Sequence, residues 1–163
     1  MASIFFHRGE RAFLDGILNG SGAAAAYTVD TVQLIQPPGT GAPNQWGIGL
    51  GTSAISELDK TSDIAAIEEI GSATPAGYDR FSLDRHTDSW PASSLVSGSY
   101  QSSAIQAEFT FSGTPAPNGA RMWFLAGSDV VGADNALFGA DLASERTYVS
   151  GNTHQVDCEF RLS

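Results

Sequence analysis

Lysine is all but missing from this chain: Lys60 stands alone, and Lys and Arg together number 8 against 18 Asp and Glu, a formal charge of −10. The few cations are scattered. A phosphate backbone is gripped by clustered Lys and Arg that displace counterions, so direct nucleic-acid binding is not expected. An anionic membrane is an equally poor partner. The acidic residues form no block of five or more, which describes a solvated acidic surface and not an acidic tail. A single cysteine, Cys158, excludes an intrachain disulfide. No run approaches the ~20 apolar residues of a membrane span. The first residues, Met1-Ala-Ser-Ile-Phe-Phe-His-Arg, lack the basic start and long apolar run of a signal peptide. The chain is therefore expected to be soluble and made in a cytoplasm.

What is present is apolar enough to fold. Hydrophobic residues make up 42 % of 163, enough for one domain with a real core. Gly at 18 and Pro at 7 announce many turns. Near the start, Phe6, Phe13, Leu14, Ile17 and Leu18 fall on one helical stripe, which predicts a short amphipathic helix over residues 8–19, ended by Asn19-Gly20-Ser21-Gly22. Residues 1–22 read as an arm and 23–163 as one β domain. The stripe must dock on something, either its own domain or a neighbouring subunit.

From Tyr27 the pattern turns to period two. Residues 27–36 read as a strand stopped by Pro37-Pro38-Gly39. Trp46, Ile48 and Leu50 alternate with Gly47, Gly49 and Gly51, so a strand here carries three large residues on one face and three glycines on the other. The bare face permits close approach of another backbone or an aromatic ring. Residues 53–70 allow a helical turn or short helix, with Glu68 and Glu69 just before Ile70-Gly71. A further strand places Phe81 and Leu83 on one face and Arg80, Ser82 and Asp84 on the other. The clearest strands carry Ile105, Ala107, Phe109 and Phe111, and Val156, Cys158, Phe160 and Leu162, each alternating with polar residues. Between them, Met122 to Ala126 is apolar on both faces and reads as a central buried strand, after a turn at Pro115-Ala-Pro-Asn-Gly119. Strands separated by turns, without strand–helix alternation, predict an all-β fold, mainly an antiparallel β-sandwich or jelly roll, with a short N-terminal helical arm.

Chemistry is hard to place on this pattern. Gly47-Ile-Gly-Leu-Gly51 has the wrong spacing for a nucleotide loop and sits inside a strand. His7, His86 and His154 are far apart and show no helical metal spacing. Asp84, His86 and Asp88 would share a face if extended, but read better as an exposed polar loop. Asp129, Asp134 and Asp141 match no EF-hand. There is no Gly-x-Ser-x-Gly elbow, and Cys158, at an inward strand position, is expected to be an inert core thiol. Trp46 and Trp123 read as core; Trp90, before Pro91, is the best exposed aromatic. No catalytic residue, cofactor or metal is expected, and an enzyme is not the reading.

The order of these elements resembles a class of small bacteriophage virion structural proteins. The resemblance runs through Ala12-Phe13-Leu14-Asp15-Gly16-Ile17-Leu18, Trp46 to Thr52, Gly77-Tyr78-Asp79-Arg80, Ile105 to Phe111, Met122 to Ala126, a Gly-rich turn with Leu137-Phe138-Gly139-Ala140-Asp141-Leu142, Gly151-Asn152-Thr153 and Val156 to Leu162. It implies a capsid decoration (cement) protein on the exterior of the virion, homo-oligomeric with a trimer favoured, whose partner is the major capsid protein. It carries over no catalytic residues. The expected contact residues are Phe5, Phe6, Phe13, Leu14, Ile17 and Leu18 on the arm, Gly47, Gly49 and Gly51 on the bare strand face, and Trp90. The alternative is a tail- or fibre-associated receptor- or glycan-binding module, with Trp90 and Tyr100 as contacts.

Overall fold

The computed structural model describes residues 3–7, 9–10, 27–29, 32–35, 45–73, 77–84, 93–97, 99–102, 104–133, 136–159 and 161–162. The strands are β1 (Ser3–Phe5), β2 (Tyr27–Val29), β3 (Val32–Ile35), β4 (Gln45–Gly51), β5 (Phe81–Asp84), β6 (Ser93–Val96), β7 (Ser99–Ser102), β8 (Ile105–Thr110), β9 (Ala120–Ala126), β10 (Ala136–Arg146), β11 (Thr153–Cys158) and β12 (Arg161–Leu162). A 3-10 turn, Ile55–Glu57, and a single-turn helix α1, Ile64–Ile67, fill the link from β4 to β5. Every pairing among the described strands is antiparallel, so the protein is all-β with little helix among the described residues.

The main sheet has five strands in the order β1-β10-β9-β4-β5. At its centre β9 is buried almost throughout, as a strand apolar on both faces must be when both faces are covered. On one face lie Trp46, Ile48, Leu50, Leu83, Trp123, Leu125, Phe138 and Ala140. The β8–β11 ribbon closes this face with its dry side, Ala107, Phe109, Val156 and Cys158, and these residues form one apolar cluster. The period-two alternation of β8 and β11 is what permits this. Their wet sides stay in water and pair across the ribbon, Gln155 Nε2 donating to Glu108 at 2.8 Å and Gln106 Nε2 to Asp157 at 3.3 Å. A column of rings runs through the same cluster. Phe109 and Phe111 stack on Tyr78 at 6.1 and 5.9 Å, and Phe111 lies 4.1 Å from Tyr148 at 6°. Each fully buried ring contributes roughly 1.5–3 kcal/mol.

The second face carries Phe6, Ile55, Ile67, Met122, Phe124, Ala126 and Ala136. Here β1 holds the chain start to the sheet edge through Phe5↔Phe138. Phe6 then turns into this second cluster, 1 % exposed. A helical bond follows, Glu10 N–H to the Phe6 carbonyl at 2.9 Å. Residues 3–7 and 9–10 therefore dock on their own domain. The rest of the expected helix over 8–19 lies outside the described residues.

Two expectations need correction. The single strand expected over 27–36 is a hairpin, β2–β3, with Val29 paired to Val32; in the sequence the two are separated by Asp30-Thr31, and Asp is a turn-favouring residue type. The Gly-rich turn expected at Leu137–Leu142 is part of β10, the longest strand described. Gly139 is there for space and not for a turn, since a Cβ on it would meet Met122 Cε at 2.6 Å.

Candidate functional site

The glycines of β4 face the second cluster. Their cross-strand neighbours on β9 are large: Gly49 pairs with Phe124 and Gly51 with Met122. A Cβ on Gly49 would lie 2.8 Å from Phe124 Cε1 and 2.9 Å from Glu69 Oε1; one on Gly47 would lie 2.7 Å from Arg80 Cδ; one on Gly51 would lie 2.9 Å from the Ile67 carbonyl oxygen. The close approach that the bare face permits is thus taken up by this chain's own side chains and backbone, the Ser128 carbonyl standing over Gly47 and the Ile67 carbonyl over Gly51. Gly47, Gly49 and Gly51, expected on a contact surface, are buried.

What fills that space is a buried ion pair. Glu69 and Arg80 have fully enclosed side chains. Arg80 Nε donates to Glu69 Oε1 at 2.7 Å and Arg80 Nη2 to Oε2 at 2.8 Å, a bidentate fork. The guanidinium also donates to the Ser128 carbonyl at 2.6 Å, and Glu69 accepts from Gly132 N–H at 2.6 Å. Arg80 Cζ sits 5.2 Å from the centre of the Phe124 ring. The pair is fully hydrogen-bonded, the condition under which buried charges are tolerated. It ties the loop after β9 to α1 and β5. Arg80, read from sequence as part of a polar strand face, is core. The sequence gives no signal for this, because the pairing of Glu69 with Arg80 exists only once the glycine face has made room.

The remaining candidates separate in space. Among the described residues no group of three or more His, Cys, Asp or Glu could hold a metal ion. Asp129 accepts from Ser82 Oγ at 3.2 Å, and Asp141 from Ile55 N–H at 2.9 Å. Asp134, His86, Asp88 and Trp90 lie outside the described residues, as do Phe13, Leu14, Ile17 and Leu18. His7 lies beside Glu10 at 3.1 Å, and Lys60 reaches the same carboxylate. Phe5 is half-buried, edge-on to Phe138 at 5.2 Å. Cys158 is buried, and that burial pushes its thiol up, as an inert core cysteine requires.

An open groove runs between the second half of β10 and β11, lined among others by Trp123, Ser144, Arg146, His154 and Asp157. Burial, then the Arg146 charge, holds His154 below its ordinary value, so it is neutral at pH 7. Elsewhere among the described residues the exposed large apolar side chains are Leu95, Val130 and Val149. Leu95 lies on the β6–β7 hairpin, an element that period-two reading passes over because its alternation is serine-rich. The signal that marks it is Ser97-Gly98 between Leu95-Val96 and Tyr100. Among the described residues no helix is long and apolar enough to cross a membrane. The chain matches no protein-family model, no curated protein and no solved structure.

Proposed function

We propose that this chain is a bacteriophage capsid decoration protein that binds the outer shell and stabilises it by bridging copies of the major capsid protein. The observation that carries the reading is where the motifs of the resemblance fall. Trp46 to Thr52 spans β4, Ile105 to Phe111 spans β8, Met122 to Ala126 lies in β9, Leu137 to Leu142 in β10, and Val156 opens the last stretch of β11. Gly77-Tyr78-Asp79-Arg80 supplies both the ring that bridges Phe109 and Phe111 and the buried guanidinium. Most of the resembling residues that the structure describes are thus core residues, which supports the reading; Gly151 to Thr153 are exposed, and Ala12 to Leu18 lie outside the described residues.

In this reading the five-stranded sheet and the β8–β11 ribbon are the two layers of a jelly-roll-like sandwich. The protein acts as a homo-oligomer, with a trimer favoured. Its charge of −10 suits the outside of a shell, and the arm beyond residue 10, with Phe13, Leu14, Ile17 and Leu18, is the contact segment. Binding that exists only on the assembled shell stabilises that shell by mass action. Cryo-electron microscopy of the particle encoded by the same genome tests this. Density for the chain on the capsid exterior is expected. Density confined to the tail, or absent from the particle, overturns the reading.

A further inference from the structure

We propose that the free edge of β6 is a self-association surface, on which β6 of a second copy pairs antiparallel across a two-fold axis. The inference stands on the hairpin's own geometry and does not depend on the capsid reading. Strands β12, β7 and β6 form a three-stranded sheet in that order, so β6 is an edge among the described residues. Val96 pairs with Ser99 across a two-residue turn in which Ser97 is left-handed, at φ 50°. The pair flanking such a turn exchanges both its hydrogen bonds, and bonded and non-bonded pairs then alternate along the ladder. Ser94↔Gln101 is accordingly bonded, and Leu95↔Tyr100 is not. The N–H and C=O of Leu95 therefore point away from β7, out of the free edge. The Leu95 side chain is 64 % exposed, the most exposed of the large apolar side chains described.

Open edges usually carry a charge or a proline that discourages pairing. Several other edges of this fold follow that rule, since β5 carries Asp84, β8 Glu108, β11 His154 and Asp157, and β12 Arg161, whereas β1, β2 and β3 carry neither. β6 is Ser-Ser-Leu-Val, and from Ser89 to Ala107 the sequence has no charged residue and no histidine. That neutrality selects the occupant. Two copies carrying −10 each repel, so they meet most readily through a surface without charge. A basic partner would be drawn to the acidic surface and would gain nothing from this edge. A two-fold contact also needs only one strand, since the patch is its own complement. The product is a continuous sheet, β12-β7-β6-β6-β7-β12.

The test uses the full chain. Light scattering across a concentration series should give an even number of copies at high concentration, two if the edge acts alone and six if it joins two trimers. Leu95→Lys puts a charge on the edge, and Leu95→Pro removes the outward N–H without removing a bond to β7. Each should weaken association at least tenfold, while Val149→Lys, at another exposed apolar site, leaves it unchanged. Higher salt should strengthen the contact by screening the like charges. Hydrogen exchange on the unaltered protein adds a reading that needs no variant to fold. The Leu95 amide should become protected as concentration rises, whereas the Ser94 and Val96 amides, bonded to β7, are protected throughout. A monomer at every concentration, or an oligomer that both substitutions at Leu95 leave intact, overturns the proposal. A trimer indifferent to position 95 would do so while leaving the capsid reading standing.

Discussion

At the scale of single residues, the largest consequences belong to Glu69 and Arg80. Removing one partner of a buried pair leaves the other charge uncompensated, which costs about 3–5 kcal/mol. Arg80→Met is expected to lose that much in urea unfolding. Glu69→Leu combined with Arg80→Met should lose less than the sum of the two single changes, because no charge is then stranded. The double variant also takes the partners from the Gly132 N–H and the Ser128 carbonyl, but Gly132 is exposed and Ser128 half-buried, so water replaces those bonds and little further cost is expected. Gly49→Ala tests the space beside the pair. Its methyl would press on Phe124 and Glu69, and overpacking of this kind costs roughly 1–3 kcal/mol. Phe124→Leu should restore part of that loss. If Gly49→Ala were instead neutral, the glycine face would not be filled from within.

At the scale of elements, the chain start is structural. β1 extends the sheet by only three residues, and its hold comes mainly from Phe6 beneath the second face. Phe6→Ala is expected to cost about 3–5 kcal/mol, read as a fall in the urea midpoint with an unchanged slope. A loss below 1 kcal/mol would mean that β1 and Phe6 are dispensable to the fold. Elements differ in how plainly the sequence announces them, and the reason is physical. β8 and β11 are legible because one side is wet and one dry, so burial writes a period of two. β9 is legible because both its sides are covered. β10 is not, because Gly139 looks like a turn until Met122 is seen above it. β6 and β7 escape because serine does not distinguish the faces of a strand. The glycines of β4 announce a close neighbour correctly, but not whose. Arg80, Phe124 and Glu69 reach them only through the fold, from positions that the spacing of β4 does not mention.

At the scale of the whole molecule, the buried titratable groups set a window of pH. Tyr78 is pushed well up by burial and then by the Glu69 charge, and burial raises Tyr148 to about 12. Cys158 is raised by burial as well. Above about pH 9–10 the unfolded chain sheds protons that the folded chain keeps, so stability falls as pH rises. His154 acts on the other side. Its folded value is depressed, so below the unfolded value of about 6.5 the unfolded chain takes up a proton that the folded chain resists. Stability is then present above that value and is lost on acidification. Glu57, lowered first by the Ala54 N–H and then by Arg121, adds a loss of the same sign below about pH 4.5. Thermal unfolding is therefore expected to be most resistant between about pH 7 and 8.5 and to weaken in both directions. The overall charge also changes with pH, and its reduction toward the acidic isoelectric point relieves self-repulsion. Comparison with His154→Gln removes that shared effect, because the substitution leaves the carboxylates untouched. The variant should lose the step between pH 6.5 and 5 and keep the alkaline decline. A variant whose acid limb matches that of the unaltered chain would show that the His154 ring, 5.5 Å from the ring of Tyr148, does not govern the acid side, and that the fall there belongs to the carboxylates alone.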